Sequence, residues 1–148
     1  MTRHEARECA VQALYQIDAS DSTVMDAISF VLEEKSFSDK DLEYISRLTQ
    51  GVLEHMDDTD KLLSSVMDRW SPERIGRVER SILRLAVYEL MYEKDIAAAT
   101  VVDEAVRLAK GFASEASGKF VNGVLAKVLA AMPFPAQDPE TTDGAEQR

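Results

Sequence analysis

Apolar side chains recur along this chain at intervals of three and four residues, the spacing that gathers them on one face of an α-helix. Over residues 3–19, Cys9, Ala10, Ala13, Leu14 and Ile17 share such a face. A turn and N-cap at Ser20, Asp21 and Ser22 precede a second helix over 23–34, with Val24, Ala27, Ile28, Val31 and Leu32 inward. Ser38, with Asp41 three residues on, has the form of a capping box. It opens a third helix to about residue 56, with Leu42, Ile45, Leu48, Val52, Leu53 and Met56 inward. Asp57 and Asp58 predict a short break before a fourth helix striped by Leu62, Leu63, Val66, Met67 and Trp70. Ser71 and Pro72 predict a cap followed by proline at the first helical position, opening a long fifth helix to about residue 93 with a bend near Gly76. Thr100 and Asp103 predict the cap of a sixth helix ending near Lys110 and Gly111. Ser114 or Ser117 caps a seventh that runs to about Met132. No stretch alternates with the period of two that a strand requires, so the pattern predicts a compact all-α protein. Pro133, Phe134 and Pro135 stop the last helix, and residues 136–148 carry no apolar periodicity. The expected organisation is one helical domain over 1–132 and a disordered polar tail over 133–148.

Composition narrows the function classes. The 148 residues, 45% hydrophobic, suffice for one core. The net charge of −10 runs against a nucleic-acid binder, although a local basic patch can sit on an acidic protein. It also suits docking to a basic partner such as a ribosomal protein. The single cysteine, Cys9, cannot form an internal disulfide, and no Cys/His cluster has metal-ligand spacing. Cys9 is expected to be a small core residue. Residues 1–10 lack the apolar stretch of a signal peptide, and no segment approaches the length of a membrane span, so the expected location is the cytoplasm.

No phosphate-binding glycine loop, nucleophile elbow or zinc-protease pattern is present. His4 and His55 fall in different helices without a serine or cysteine partner. The carboxylates read as solvated helix faces. No catalytic residue, metal or cofactor is therefore expected.

Two segments carry a resemblance. The first is Ala6-Arg7-Glu8-Cys9-Ala10-Val11-Gln12-Ala13-Leu14-Tyr15. The second begins with Val78-Glu79-Arg80-Ser81-Ile82-Leu83-Arg84-Leu85-Ala86-Val87-Tyr88-Glu89-Leu90. It continues with Asp103-Glu104-Ala105-Val106-Arg107-Leu108-Ala109-Lys110 and Lys119-Phe120-Val121-Asn122-Gly123-Val124-Leu125. In this order and spacing they resemble the NusB family of transcription antitermination factors over nearly the whole chain to about residue 132. The resemblance implies about seven helices in two packed sub-bundles. It also implies binding of boxA-type RNA jointly with NusE, a small-subunit ribosomal protein, within the RNA polymerase antitermination complex of ribosomal RNA operons. A module that binds only protein is the alternative. An enzyme of this class would join such a domain to an RNA methyltransferase, for which 148 residues leave no expected room.

The resemblance places RNA contacts in the first helix and at the start of the last. The candidates are Arg3, His4, Arg7, Tyr15, Lys119 and Phe120. On a helical wheel Arg7 edges the core face of the first helix, with His4, Val11 and Tyr15 beside it; cations and a ring there suit phosphates and a stacked base. His4 and Glu5 stand where the family favours arginine. An ordinary solvated face is the competing reading, and for Phe120 it is core packing. Arg74, Arg77, Arg80 and Arg84 share one side of the fifth helix, either as a solvated stripe or as a contact surface. Glu79 and Glu89 project toward its apolar side, where a carboxylate must be paired. Glu89 is expected to be structural, accepting hydrogen bonds from a neighbouring helix N-terminus. Glu79, near the helix start, is expected at a groove open to a basic partner, so Glu79, Arg80 and Arg84 are the partner-binding candidates. Gly123, inside a helix, suggests a close helix contact, and Asn122 an interhelical hydrogen bond.

Overall fold

A computed structural model of the chain describes residues 1–68 and 75–132. Trp70, the Ser71-Pro72 cap, Arg74 and the tail from residue 133 lie outside the described residues. Among the described residues there are seven helices and no strand: α1 (Arg3–Ser20), α2 (Val24–Leu32), α3 (Asp39–Glu54), α4 (Met56–Val66), α5 (Arg77–Tyr92), α6 (Ala98–Phe112) and α7 (Glu115–Ala131). None of the described helices is long and apolar enough to cross a membrane.

The first three helices pack on one another, and α4, α5, α6 and α7 form a second group. Helix α5 joins the two, touching α1 and α3 on one side and α4, α6 and α7 on the other. Every residue from Arg80 to Leu90 is buried, as befits a helix surrounded by others. Ile82, Leu83, Leu85 and Val87 share its core with Ile28, Ile45, Leu48, Leu63 and Leu125. Cys9 is in the core, and burial pushes its thiol up.

Local chemistry sets the helix ends. The Thr2 hydroxyl accepts from the Glu5 amide (3.0 Å) while the Glu5 carboxylate accepts from the Thr2 amide (2.7 Å), a reciprocal cap on α1. Ser38 and Asp41 cap α3 in the same way. Asp21, at φ 60°, ends α1, and Thr23 caps α2. Ser114, rather than Ser117, caps α7.

Besides the α2 cap, which falls on Thr23 and not on Ser20, Asp21 or Ser22, three boundaries differ from the sequence pattern. Asp57 and Asp58 form the first turn of α4 instead of a break, which favours carboxylates there; the junction with α3 is His55. Helix α5 starts after Gly76, so no helix bends through that residue. Helix α6 starts at Ala98, without a side-chain cap, and includes Thr100. Strong helix formers, Ala97 to Ala99, let the helix begin ahead of the polar signal.

Candidate nucleic-acid and partner interface

The charges on α5 face neighbouring helices. Arg7 of α1 is only 4% exposed. Its Nε and Nη2 donate to the Glu89 carboxylate, with the shortest contact 2.8 Å. Glu89 is therefore structural, as its apolar surroundings require, but its partner is a side chain and not a helix N-terminus. Burial pushes the Glu89 carboxyl up, against the pull of Arg7. The expectation of Arg7 as an exposed phosphate contact is corrected: its guanidinium is covered and serves to tie α1 to α5.

His4 stands beside this pair, half-buried. Its Nδ1 lies 2.7 Å from Glu104 Oε1 on α6, and its Nε2 lies 3.5 Å from Glu8. Glu104 also meets Arg7 (3.7 Å) and Arg107 (3.1 Å). Burial raises the Glu104 carboxyl, but the His4 hydrogen bond and the three neighbouring basic groups outweigh it and hold the group below the ordinary carboxylate range. His4 thus clasps α1 to α6.

Two partner-binding candidates are also turned inward. Arg80 pairs with Asp18 of α1, which accepts from Arg77 as well (2.9 Å), and Arg80 donates to the Ile75 carbonyl (3.2 Å). Burial pushes the Asp18 carboxyl up, and Arg80 and Arg77 together bring it below the ordinary value. Arg84 grips Asp60 of α4 through two bonds of 2.9 and 2.8 Å. Arg80 and Arg84 thus form an interhelical seam, whereas Arg77 pairs with Asp18 from an exposed position and keeps the solvated edge of the stripe. A central helix cannot keep charges inside without such partners. Glu79 is half-buried and accepts from the Ser117 hydroxyl of α7 (2.5 Å), bridging the starts of two helices.

The remaining candidates occupy three separate places. Arg3 is exposed at the corner of α1 and α3, with its guanidinium carbon 4.0 Å from the centre of the Tyr44 ring. Tyr15, two-fifths exposed, lines a groove with Gln12, Phe30, Val31, Val78 and Phe112. Lys119 and Phe120 lie at another surface, with Val66, Met67, Asp68, Gly123 and Lys127. Phe120 is 39% exposed, which decides against core packing. Gly123 has open space where a Cβ would stand, and Asn122 is exposed, so the close helix contact expected there is absent.

Three useful side chains were not singled out from the sequence. Lys127 comes beside Phe120 because both lie on the same flank of α7, seven residues apart. Phe30 is 63% exposed; its position off the apolar stripe of α2 is a sequence signal that finds it. Phe112 enters the groove only through the packing of α6. Among the described residues no group of three or more His, Cys, Asp or Glu side chains is placed to hold a metal ion.

A model described as the NusB family matches residues 4–130. The transcription antitermination protein NusB of Exiguobacterium sp. is 45% identical over 129 residues, covering 87% of this chain and 98% of that protein. Its counterpart in Bacillus subtilis is 44% identical over 128 residues, covering 86% and 95%. In a crystal structure of the antitermination factors NusB and NusE in complex with dsRNA, one chain superposes with a TM-score of 0.79 at 33% identity, covering 89% of this chain and 100% of that one. With its helical region matched from end to end, in sequence and in fold, this chain belongs to the NusB family.

Proposed function

We propose that this protein is a transcription antitermination factor that holds single-stranded boxA-type RNA together with a NusE-type ribosomal protein. It supports transcription of ribosomal RNA operons within the RNA polymerase antitermination complex, in the cytoplasm. It acts by binding, without catalysis or cofactor. The observation that carries this reading is the surface of α7. In a chain of net charge −10, Lys119, Lys127 and the exposed ring of Phe120 share one patch. Neither lysine pairs with a carboxylate among the described residues. Lysines suit phosphates and an exposed ring suits a base. Arg3 and Tyr15 are proposed as further RNA contacts, and His4 and Arg7 as positioning residues that fix α1 beneath them.

Protein docking is proposed for a groove that shares Tyr15 with the RNA contacts. Phe30, Val31, Val78 and Phe112 make it mainly apolar, with Lys35 also on its wall, and it offers contact area; Glu79, the proposed contact for a basic partner, follows Val78 in α5 and accepts from Ser117. Burial of Arg7 favours the protein-only alternative, because it removes a cation from α1. Titration of labelled boxA-type RNA, with and without NusE, separates the readings. Phe120→Ala and Lys119→Ala are expected to weaken RNA binding in both cases while leaving the thermal midpoint in place. Wild-type protein that takes no RNA in either condition, yet binds NusE, establishes the protein-only module.

A further inference from the structure

The corner between the start of α1 and the first half of α3 gathers positive charge that the α7 patch does not use. Lys40, Tyr44 and Arg47 follow the i, i+4, i+7 spacing of one helical flank, and Arg3 reaches across from α1. Both guanidinium groups approach the same ring: the Arg3 carbon lies 4.0 Å and the Arg47 carbon 5.2 Å from the Tyr44 centroid. Tyr44 itself is 8% exposed, so a buried ring is the floor on which the cations rest.

The anionic neighbours are largely committed. Asp41 accepts from the Ser38 amide (2.9 Å) and from the Met1 amino group (3.2 Å). Glu93 takes one N–H of Arg47 (2.9 Å) and the Tyr88 hydroxyl (3.0 Å), leaving the Arg47 side chain 55% exposed with further N–H groups to give. Arg3 and Lys40 are exposed and pair with no carboxylate among the described residues. Glu43, exposed on the rim, is the opposing charge.

We propose that this corner is a second contact for the phosphodiester backbone of single-stranded RNA, carried by Arg3, Lys40 and Arg47 over Tyr44. The inference rests on the RNA-binding reading above and extends the RNA footprint to α3. An arginine held over a ring loses less side-chain entropy when its remaining N–H groups meet phosphate oxygens. A point charge on Lys40 suits the next phosphate. The contact reads backbone and not base, so it raises affinity uniformly across sequences.

The test is fluorescence anisotropy of labelled single-stranded boxA-type RNA with the full chain over a range of salt. Lys40→Gln and Arg47→Gln are each expected to weaken binding and to reduce the log–log salt slope by about 0.7 for every phosphate no longer neutralised. Arg47→Lys is expected to keep the slope, and Glu43→Gln to tighten binding. Lys40 is exposed and unpaired, so its variant folds; circular dichroism verifies the others. If Phe120→Ala weakens binding while Lys40→Gln, Arg47→Gln and Glu43→Gln leave affinity and slope unchanged, the corner is not an RNA contact, and the RNA reading of the protein survives. If Lys40→Gln and Arg47→Gln lose affinity for polyglutamate and not for RNA, the corner takes an acidic protein segment and the proposal is overturned. If wild type takes no RNA with or without NusE, the broader reading falls and the proposal with it.

Discussion

At the scale of single residues, the close helix contact that the sequence suggested at Gly123 is found instead at Gly51. A Cβ on Gly51 would clash with the Tyr88 ring, which is buried, hydrogen-bonded to Glu93 and stacked near His55. Gly51→Ala is expected to destabilise by ~1–3 kcal/mol through overpacking, although alanine is the better helix former. Gly123→Ala meets nothing and is expected to be neutral or to stabilise by up to ~1 kcal/mol in a urea melt. Both glycines sit inside apolar helical patterns, and no local feature tells which one faces another element. Arg7 teaches the same lesson for charge. Removing it strands a buried carboxylate, so Arg7→Met is expected to cost about 3–5 kcal/mol, most of it recovered in the double variant Arg7→Met, Glu89→Leu. Denaturant midpoints around that cycle check it. A variant that loses RNA affinity without losing stability would return Arg7 to the surface role that its position on the helical wheel suggested.

At the scale of helices, caps follow short-range chemistry, yet a hydroxyl three residues before an acidic group marks a cap at Thr2, Thr23 and Ser38 and not at Thr100, which lies inside α6. Ser38→Ala is expected to cost ~1 kcal/mol, the usual worth of such a cap, with the loss read by chemical denaturation. Ser38 with Asp41 was found from sequence; the start of α6 was not, because it rests on alanine propensity and has no side-chain cap. The arginine stripe of α5 read equally as a solvated face or a contact surface because a helical wheel shows angle but not neighbours. Asp18 and Asp60, lying 62 and 24 residues away from their arginines in sequence, turned it into a seam. The resemblance named Phe120 and Lys119 from a contiguous block, whereas Lys127 and Arg47 lie outside every block quoted for it.

For the molecule as a whole, charge links stability to pH. Asp18 and Glu104 have folded values below those of free carboxyl groups. Their contribution is complete above the unfolded value near pH 4 and is lost as pH falls through the folded values. Glu89, shifted upward, has the opposite sign and does not share in that loss. Urea midpoints measured from about pH 5 down to about pH 2.5 are therefore expected to fall, and Asp18→Asn with Glu104→Gln to flatten the fall at the expense of stability at neutral pH. The chain's own pattern of threes and fours determined that it is helical, roughly where each helix runs and which side of each is apolar, because these depend on neighbours within one or two turns. It also determined, through ordered blocks of residues, the family resemblance. Which polar residues remain available was decided only when the helices packed. Burial of Arg7, pairing of Arg80 and Arg84, exposure of Phe120 and the meeting of Arg3 with Arg47 over Tyr44 all depend on contacts between different helices. A buried charge seeks a partner wherever the fold supplies one, and its distance along the chain carries no cost once that fold has formed.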